Sequence, residues 1–334
     1  VNEKMLSSLA LWVILVSCAS ALSSPASSNA LPDDIRQALF GRTSSNLDKV
    51  PKESSSPARP LTGTGYQINP LLSTEDRSRN ADAPDEYFYS SPFIVQHNDG
   101  VFRDKLRELY ERVFSSTNGG PVFLDLGSSW VSHLPTSKRP KEVWLHGMNS
   151  EELERNPDGT GYRIVRSFND PHDSINAALL SSAADKQKAA GTSSRIQVSP
   201  SEFLLGEIPD DSVDVIGACA CFQYWRFPER VVGESLRLLK PNTGQMVISF
   251  SDRMFESKAV GAWKSNNCSE RIQYVSRMLE QGATLDDGCK FVVEETIMEG
   301  ATIAALTMPF TKALGKRMMG GDPFVAVVAR KISI

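Results

Sequence analysis

One stretch of the chain has residue types and a spacing that could bind a nucleotide-like ligand. Residues 122–124 form an apolar run that ends in Asp125, and Gly127, Ser128 and Ser129 follow as a turn of small residues. A buried parallel strand that delivers a tight loop to a nucleotide has this pattern, because the carboxylate can hold ribose hydroxyls or a ligand amine and the small residues let the backbone come close. A buried strand with an ordinary turn, in which the carboxylate caps the loop, has the same pattern. The remaining elements must decide between the two interpretations.

Three further side chains are candidates for chemistry. His133 follows the loop closely and could act as a general base near neutral pH, or it is a surface histidine. Tyr224, with Trp130 and Trp225, could line a substrate pocket, although aromatic side chains at strand ends are more often core or pocket wall. Arg253 follows an apolar strand and could hold an anionic substrate, or it pairs with neighbouring acids in solvent.

Composition limits the functional class. The chain has 334 residues, 40% of them hydrophobic, and a formal net charge of -4, which suits one sizeable α/β domain with appendages. A net negative chain has no global basic field, so we predict no nucleic-acid partner. The cysteines show no CxxC pair and no zinc-site spacing with histidine, so we predict no metal. Cys219 and Cys221 alternate in an apolar run and are interpreted as small buried residues.

The pattern of the N-terminal region indicates a targeting sequence. Residues 6–21 are apolar and end in an Ala-Ser-Ala pattern, which predicts a signal peptide over residues 1–21 and a mature start at Leu22. The alternative is a membrane anchor, for which the segment is short. Residues 22–84 are rich in Ser, Pro, Arg and Asn, and we predict a disordered linker or plastid transit segment.

The two parts together resemble the targeting sequences of algae with secondary plastids. That resemblance favours a plastid destination after entry into the secretory pathway, with secretion or the endoplasmic reticulum lumen as the alternative. We expect no membrane association once the signal is cleaved.

We expect the folded domain to cover residues 85–334. Apolar residues recur at helical spacing over residues 102–113, ahead of the strand that ends in Asp125. A short helix, a second strand over residues 143–148 and a helix that starts at Asn149 or Ser150 follow. The third strand is either residues 162–168 or residues 195–198, and residues 170–200 contain an insertion.

The C-terminal half continues the alternation of strands and helices. Pro228 begins a helix between two apolar strands, residues 213–221 and 245–250. Helices are also predicted over residues 259–263 and 270–281. No convincing helix separates the final two strands, residues 291–297 and 323–329, so we expect them to pair in antiparallel fashion.

This succession resembles the class I S-adenosylmethionine-dependent methyltransferase superfamily, nearest to its type 11 branch, over roughly residues 85–331. The run Leu-Asp-Leu-Gly-Ser-Ser at 124–129 stands at that family's first glycine-rich motif. The run Ile-Pro-Asp-Asp-Ser-Val-Asp-Val-Ile at 208–216 resembles the approach to its fourth strand, and Leu-Leu-Lys-Pro-Asn-Thr-Gly at 238–244 resembles the turn before its fifth. Residues 128–135 also resemble a subgroup of algal and bacterial relatives.

The resemblance implies a three-layer, doubly wound Rossmann-like α/β sandwich whose mostly parallel seven-stranded sheet has an antiparallel last strand. It further implies S-adenosyl-L-methionine as cofactor and methyl transfer to a small-molecule acceptor. The residues implied to bind the cofactor follow the first, second and fourth strands: Asp125, Gly127, Ser128, Ser129, Gly147, Met148, Asn149, Cys219, Ala220 and Cys221.

Two departures from the family pattern support an alternative function. The family usually has glycine at Ser129, and an acid that binds the ribose stands where this chain has Gly147. Asn149 could replace the acid as a neutral partner with weaker charge assistance. The acid that often follows the third strand is Ser167 in one alignment and Glu202 in the other. The alternative is therefore a non-catalytic binding module with a degenerate cofactor site.

A nicotinamide dehydrogenase is less compatible with the sequence than either function. The dinucleotide fingerprint requires G-x-G-x-x-G after the first strand and an acid at the end of the next, and the chain has neither.

Overall fold

The computed structural model describes residues 63–81, 83–169, 195–300 and 321–333. The predicted signal peptide and most of the predicted insertion lie outside these residues. The strands are β1 (Tyr66–Ile68), β2 (Val122–Ser128), β3 (Glu142–Gly147), β4 (Arg163–Val165), β5 (Ile196–Val198), β6 (Val215–Cys219), β7 (Gln245–Phe250), β8 (Ala283–Leu285), β9 (Lys290–Glu299) and β10 (Phe324–Ile332). The α-helices are α1 (Asp85–Phe88), α2 (Gly100–Phe114), α3 (Ser150–Arg155), α4 (Pro228–Leu238), α5 (Gly261–Lys264) and α6 (Cys268–Gln281).

A seven-stranded sheet organises the domain, with strand order β4-β3-β2-β6-β7-β10-β9. The first five strands are parallel, and β10 runs antiparallel between β7 and β9. The predicted Rossmann-like methyltransferase fold with an antiparallel last strand is thereby confirmed. The last strand lies inside the sheet, so β9 forms the edge.

The third strand of the parallel set is β4, which pairs with β3. The rival candidate, β5, lies in a separate three-stranded sheet with β1 and β8. Residues 163–165 therefore resolve the alternative that the sequence left open.

Alternate residues of the strands bury opposite faces of the sheet and produce the three layers. Phe123 packs in one apolar cluster with Phe102 and Leu106 of α2. Leu124, the next residue, lies in a second cluster with Leu236 of α4 and Val275 of α6. The period-2 alternation of a strand places consecutive apolar side chains under different helices.

The fold begins earlier than the boundary predicted at Asp85. In β1, Tyr66 and Ile68 are fully buried, and the strand pairs with β5 and β8. Farther along, Arg77 forms a buried ion pair with Glu229 of α4. Residues 63–81, which belong to the predicted disordered linker of residues 22–84, are therefore ordered. Composition suggests a linker because the segment is polar, but two alternating apolar residues and one buried arginine anchor it to the domain.

The connection between β2 and β3 also differs from the prediction. Residues 129–141 contain no helix, so the predicted short helix is absent from this described connection. Pro135 and Pro140 interrupt the segment, and His133 has a left-handed φ of 52°, which a helix does not tolerate. The loop after β2 therefore has no following helix whose N-terminus would attract an anion.

Among the helices that the structure describes, none combines the length and the apolar character needed to cross a membrane.

Candidate functional site

The candidate site lies at the carboxyl ends of β2 and β6, where the order of the parallel strands reverses. From β2 the chain proceeds outward through β3 and β4, and β6 and β7 then add on the other side of β2. Ligands of open α/β sheets bind in the crevice at such a switch point. Asp125 of β2 pairs in register with Gly217 of β6, three residues before β2 ends at Ser128, so it lies near the carboxyl ends of the two strands at the switch point.

Asp125 is buried and bonded to neighbouring hydroxyls. Its side chain forms hydrogen bonds with Ser132 and Ser128, but burial dominates and raises the pKa of the carboxyl to about 7. A carboxyl with that pKa exchanges a proton near neutral pH. Asp125 can therefore present either a negative charge or a proton donor to a ligand.

Asn156 holds the two serines in place. Its Nδ2 donates to Ser132 Oγ at 3.0 Å, to Ser128 Oγ at 3.3 Å and to the carbonyl oxygen of Ser129 at 2.9 Å. Because both serine oxygens accept from Asn156, their hydroxyl protons can be donated to Asp125. The sequence analysis missed Asn156, which directly follows α3 and reads there as an ordinary helix end.

Gly127 brings the loop after β2 against the loop after β6. Its φ is +67°, and a Cβ at this position would lie 2.5 Å from Cys221 Cβ. Cys221 Sγ in turn donates to the carbonyl oxygen of Leu126 at 3.2 Å. Glycine is required here by both the left-handed conformation and the close approach.

Gly127→Ala is expected to destabilise the fold by about 2 kcal/mol more than Gly119→Ala. Gly119 has a similar φ of +77° but nothing within 4 Å of an added Cβ, so it reports only the left-handed backbone cost, whereas Gly127 adds the overpacking against Cys221. Urea denaturation of both variants measures the difference. Equal destabilisation would contradict the contact between the two loops.

His146 of β3 fixes the backbone of Gly127 and is a second residue that the sequence analysis missed. The Gly127 N–H donates to His146 Nδ1 at 3.4 Å, and His146 Nε2 lies 2.9 Å from the carbonyl oxygen of Arg166. This network assigns the proton of the neutral imidazole to Nε2. Burial lowers the pKa of His146 to about 4, and its ring stacks on Phe168 at 3.9 Å. The alternation of side chains along β3 could have indicated that this histidine points into the domain, but not that it binds the Gly127 N–H.

At the end of β3, the residues predicted to bind adenosine are already engaged. A side chain at Gly147 would meet the carbonyl oxygen of Ser128 at 2.5 Å, so no acid could stand there without moving the loop. Asn149 caps α3 through Oδ1, which accepts from the Glu152 N–H at 3.1 Å, and its Nδ2 donates to the carbonyl oxygen of Tyr89 at 2.8 Å. Met148 is half-buried between them.

A cap segment, residues 85–98, covers this edge of the sheet. Glu152 joins it to the loop after β2, since one carboxylate oxygen accepts from the Phe93 N–H and the other from Ser129 Oγ, both at 2.6 Å. Trp130 Nε1 donates to the carbonyl oxygen of Val95 at 3.2 Å. The polar groups of Ser129, Trp130 and Asn149 are therefore engaged within the chain, Ser129 with the Glu152 carboxylate and the other two with backbone carbonyl oxygens.

Cys219 and Ala220 are partly buried at the end of β6. Ala220 has a left-handed φ of 52°, a conformation that is strained for alanine and clusters at functional sites. Burial, with the nearby charge of Asp125, raises the pKa of the Cys219 thiol to about 12. The thiol stays protonated at neutral pH, so it can line the site but is a poor nucleophile.

The contacts that the structure gives the three candidate catalytic residues are with groups other than Asp125. Burial and the charges of Arg107 and Arg103 lower the pKa of His133 to about 4, so it is a weak base. Tyr224 Oη accepts from the Phe255 N–H at 2.8 Å, and burial raises its pKa to about 12. Arg253 Nε donates to Asp322 Oδ1 at 2.7 Å.

Within the four described ranges, no group of three or more His, Cys, Asp or Glu side chains is arranged to hold a metal ion.

Comparison with known proteins gives likeness of fold only. No family model matches the chain, and no curated protein matches it in sequence. Solved structures similar to it include an S-adenosylmethionine-dependent methyltransferase from Mesorhizobium loti, with 14% identity over 66% of this chain and 95% of that one, and a TM-score of 0.34. Another is the 4+2 cyclase SpnF, with 14% identity over 73% of this chain and 90% of that one, and a TM-score of 0.40.

Proposed function

We propose that the chain binds S-adenosylmethionine at the carboxyl edge of β2 and β6 and transfers its methyl group to a small-molecule acceptor. The observation that carries the proposal is Asp125, a buried carboxyl whose pKa is raised to about 7 at the switch point of the sheet. A buried carboxyl without a cation is costly, and such groups cluster at functional sites. The ammonium group of an amino-acid ligand would supply the missing charge.

The residues present fit the two ends of the cofactor differently. Asp125, with the exposed backbone of Gly127 beside it, suits the methionine end. Asn149 would have to release the carbonyl oxygen of Tyr89 before it could hold a ribose hydroxyl. Ligand entry on the adenosine side therefore requires this one hydrogen bond to open.

When bound, S-adenosylmethionine would supply an electrophilic sulfonium methyl group and leave as S-adenosylhomocysteine, and the proton of the acceptor's nucleophilic atom would pass to water. The protein's own contribution is to position the reactants and exclude water. Cys219 and Ala220, at the end of β6, would flank the approach of the methyl group, and the protonated thiol and the methyl side chain would add no charge to a reaction that needs mainly orientation.

The second candidate is a non-catalytic binding module. It is favoured by the engagement of Asn149 with Tyr89 and by the contact between Gly147 and Ser128, which excludes an acid. Under this function the cap segment would hold the crevice closed permanently.

Calorimetric titration of the full chain with S-adenosylhomocysteine separates the two functions. Methyltransferase function predicts saturable binding at micromolar to submillimolar ligand. His133→Ala should leave it unchanged, because Asp125 is not among the groups that act on that imidazole. The absence of heat at millimolar ligand would reject cofactor binding and favour the binding module.

A further inference from the structure

A cluster of five rings stands at the same edge of the sheet, beside the site. This aromatic shelf consists of Phe88, Phe93, His97, Tyr224 and Phe255. Phe255 is its centre, with ring centroids at 5.3 Å from Phe88, 5.7 Å from His97, 5.9 Å from Tyr224 and 6.4 Å from Phe93. Phe93 and His97 stack on each other at 5.6 Å. Since Phe255 closely follows β7, the shelf lies where the parallel strands end.

The outer rings of the shelf are open to solvent, while Tyr224 and Phe255 beneath them are partly buried. Phe88 and Phe93 are each 42% exposed, and the neighbouring Tyr87, Ile94 and Val95 are exposed as well. Single exposed apolar residues are common, but a contiguous set marks a surface that binds something apolar.

The shelf is joined directly to the loop that follows Asp125. Phe93 donates its N–H to Glu152, whose other carboxylate oxygen accepts from Ser129 Oγ. One side chain therefore separates the shelf from the proposed cofactor loop. A ligand lying on the shelf would present one end toward the crevice.

Charged groups that border the shelf are paired within the chain. Asp85 accepts from Arg79 and from Lys258, each at 2.7 Å. Arg253 pairs with Asp322 at 2.7 Å. Because each of these charges already has a partner of opposite sign within the chain, they give a charged ligand little net attraction, and an uncharged ligand fits the shelf better.

We infer that the aromatic shelf holds the uncharged, ring-bearing body of the methyl acceptor, with its nucleophilic atom directed into the crevice. The inference rests on the proposed methyl transfer. Stacked and edge-to-face rings contribute about 0.5–1.5 kcal/mol per pair beyond burial, which corresponds to a factor of roughly two to ten in affinity.

The test uses 2-naphthol, a neutral ring-bearing hydroxyl compound, and its charged analogue 2-naphthalenesulfonate, with Kd measured from their fluorescence anisotropy on the full chain. Phe93→Ala is expected to raise the Kd of 2-naphthol about three- to tenfold. Phe255→Leu keeps the apolar volume but removes the central ring and is expected to have a similar effect. Tyr162→Ala is the matched control, because Tyr162 is an exposed aromatic residue next to the opposite edge strand, β4.

Three results would overturn the inference: an unchanged Kd in Phe93→Ala, an equal rise in Tyr162→Ala, or sulfonate binding as tight as naphthol binding. Vesicles of phosphatidylcholine form a further arm. Their capture by the wild type but not by Phe93→Ala, without naphthol binding, would identify a membrane surface as the occupant and reject the acceptor.

Titration of the same proteins with S-adenosylhomocysteine distinguishes failure of the shelf from failure of methyl transfer. Cofactor binding without naphthol binding rejects the shelf and leaves methyl transfer standing. Naphthol binding without cofactor binding rejects methyl transfer, and with it the acceptor role of the shelf.

Discussion

Asp125→Asn is expected to stabilise the protein at alkaline pH while weakening S-adenosylhomocysteine binding at least tenfold. The pKa of this carboxyl is about 7 in the folded state and near 3.9 in an unfolded chain. The folded state therefore binds more protons than the unfolded state between these values, and stability falls as the pH rises through that window. An asparagine has no charge to desolvate, so its stability advantage should grow by about 3 kcal/mol between pH 5 and pH 8.

Measurement must compare variants, because buried histidines act in the opposite direction. The pKa values of His146 and His133 are lowered to about 4, so their contribution is lost as the pH falls from 6.5 toward 4. This term is common to the wild type and Asp125→Asn and cancels in the difference. Asp104→Asn, at an exposed site on α2, is the control and should show a small, nearly constant difference. A constant difference for Asp125→Asn would mean that Asp125 is charged throughout this range.

The same residue shows what the sequence alone could predict. Asp125 stands at the end of an apolar run, and the order of strands and helices after it places that end at a switch point. The strand end and the order of elements both follow from local patterns. The apolar strand runs, the proline at the start of α4 and the turn before β7 can each be identified from a few consecutive residues. The fold was therefore predictable even though no family model matches the chain.

The closure of the site was not predictable, because it depends on contacts between distant residues. Asn149 and Tyr89 are 60 positions apart, and Gly127 meets Cys221 across the crevice. The pattern at Asn149 correctly indicates a helix cap, but it cannot show that the other end of the amide is occupied. Residue type decides what a side chain can bind, and only tertiary structure decides what it does bind.

The early start of the fold has the same cause. Composition describes residues 63–81 as polar, yet Arg77 is 1% exposed and Glu229 is fully buried. Arg77 donates to both Glu229 oxygens, at 2.7 and 3.0 Å, and to the carbonyl oxygen of Arg226 at 2.6 Å. Glu229 also accepts the Leu71 N–H at 3.0 Å. This network ties residues 63–81 to the first turn of α4 and to the loop that precedes it.

Arg77→Met is consequently expected to destabilise the fold by about 3–5 kcal/mol, because it leaves the Glu229 carboxylate buried without its cation. Arg107→Met, which breaks an exposed pair with Asp104, should change stability by at most about 0.5 kcal/mol. Urea denaturation of both variants provides the measurement. A loss below about 1 kcal/mol for Arg77→Met would show that the ion pair does not anchor the segment.

The double variant Arg77→Met/Glu229→Met identifies the source of that loss. A buried ion pair gains little over apolar residues of similar volume, whereas one unpaired buried charge is costly. The double variant should therefore recover more than half of the stability lost in Arg77→Met. The remainder should reflect the Leu71 N–H and the Arg226 carbonyl oxygen, which lose their partners in the double variant. If the double variant is instead the less stable of the two, the other contacts of Glu229, among them its bond from the Leu71 N–H, attach residues 63–81 to α4 more strongly than the ion pair does.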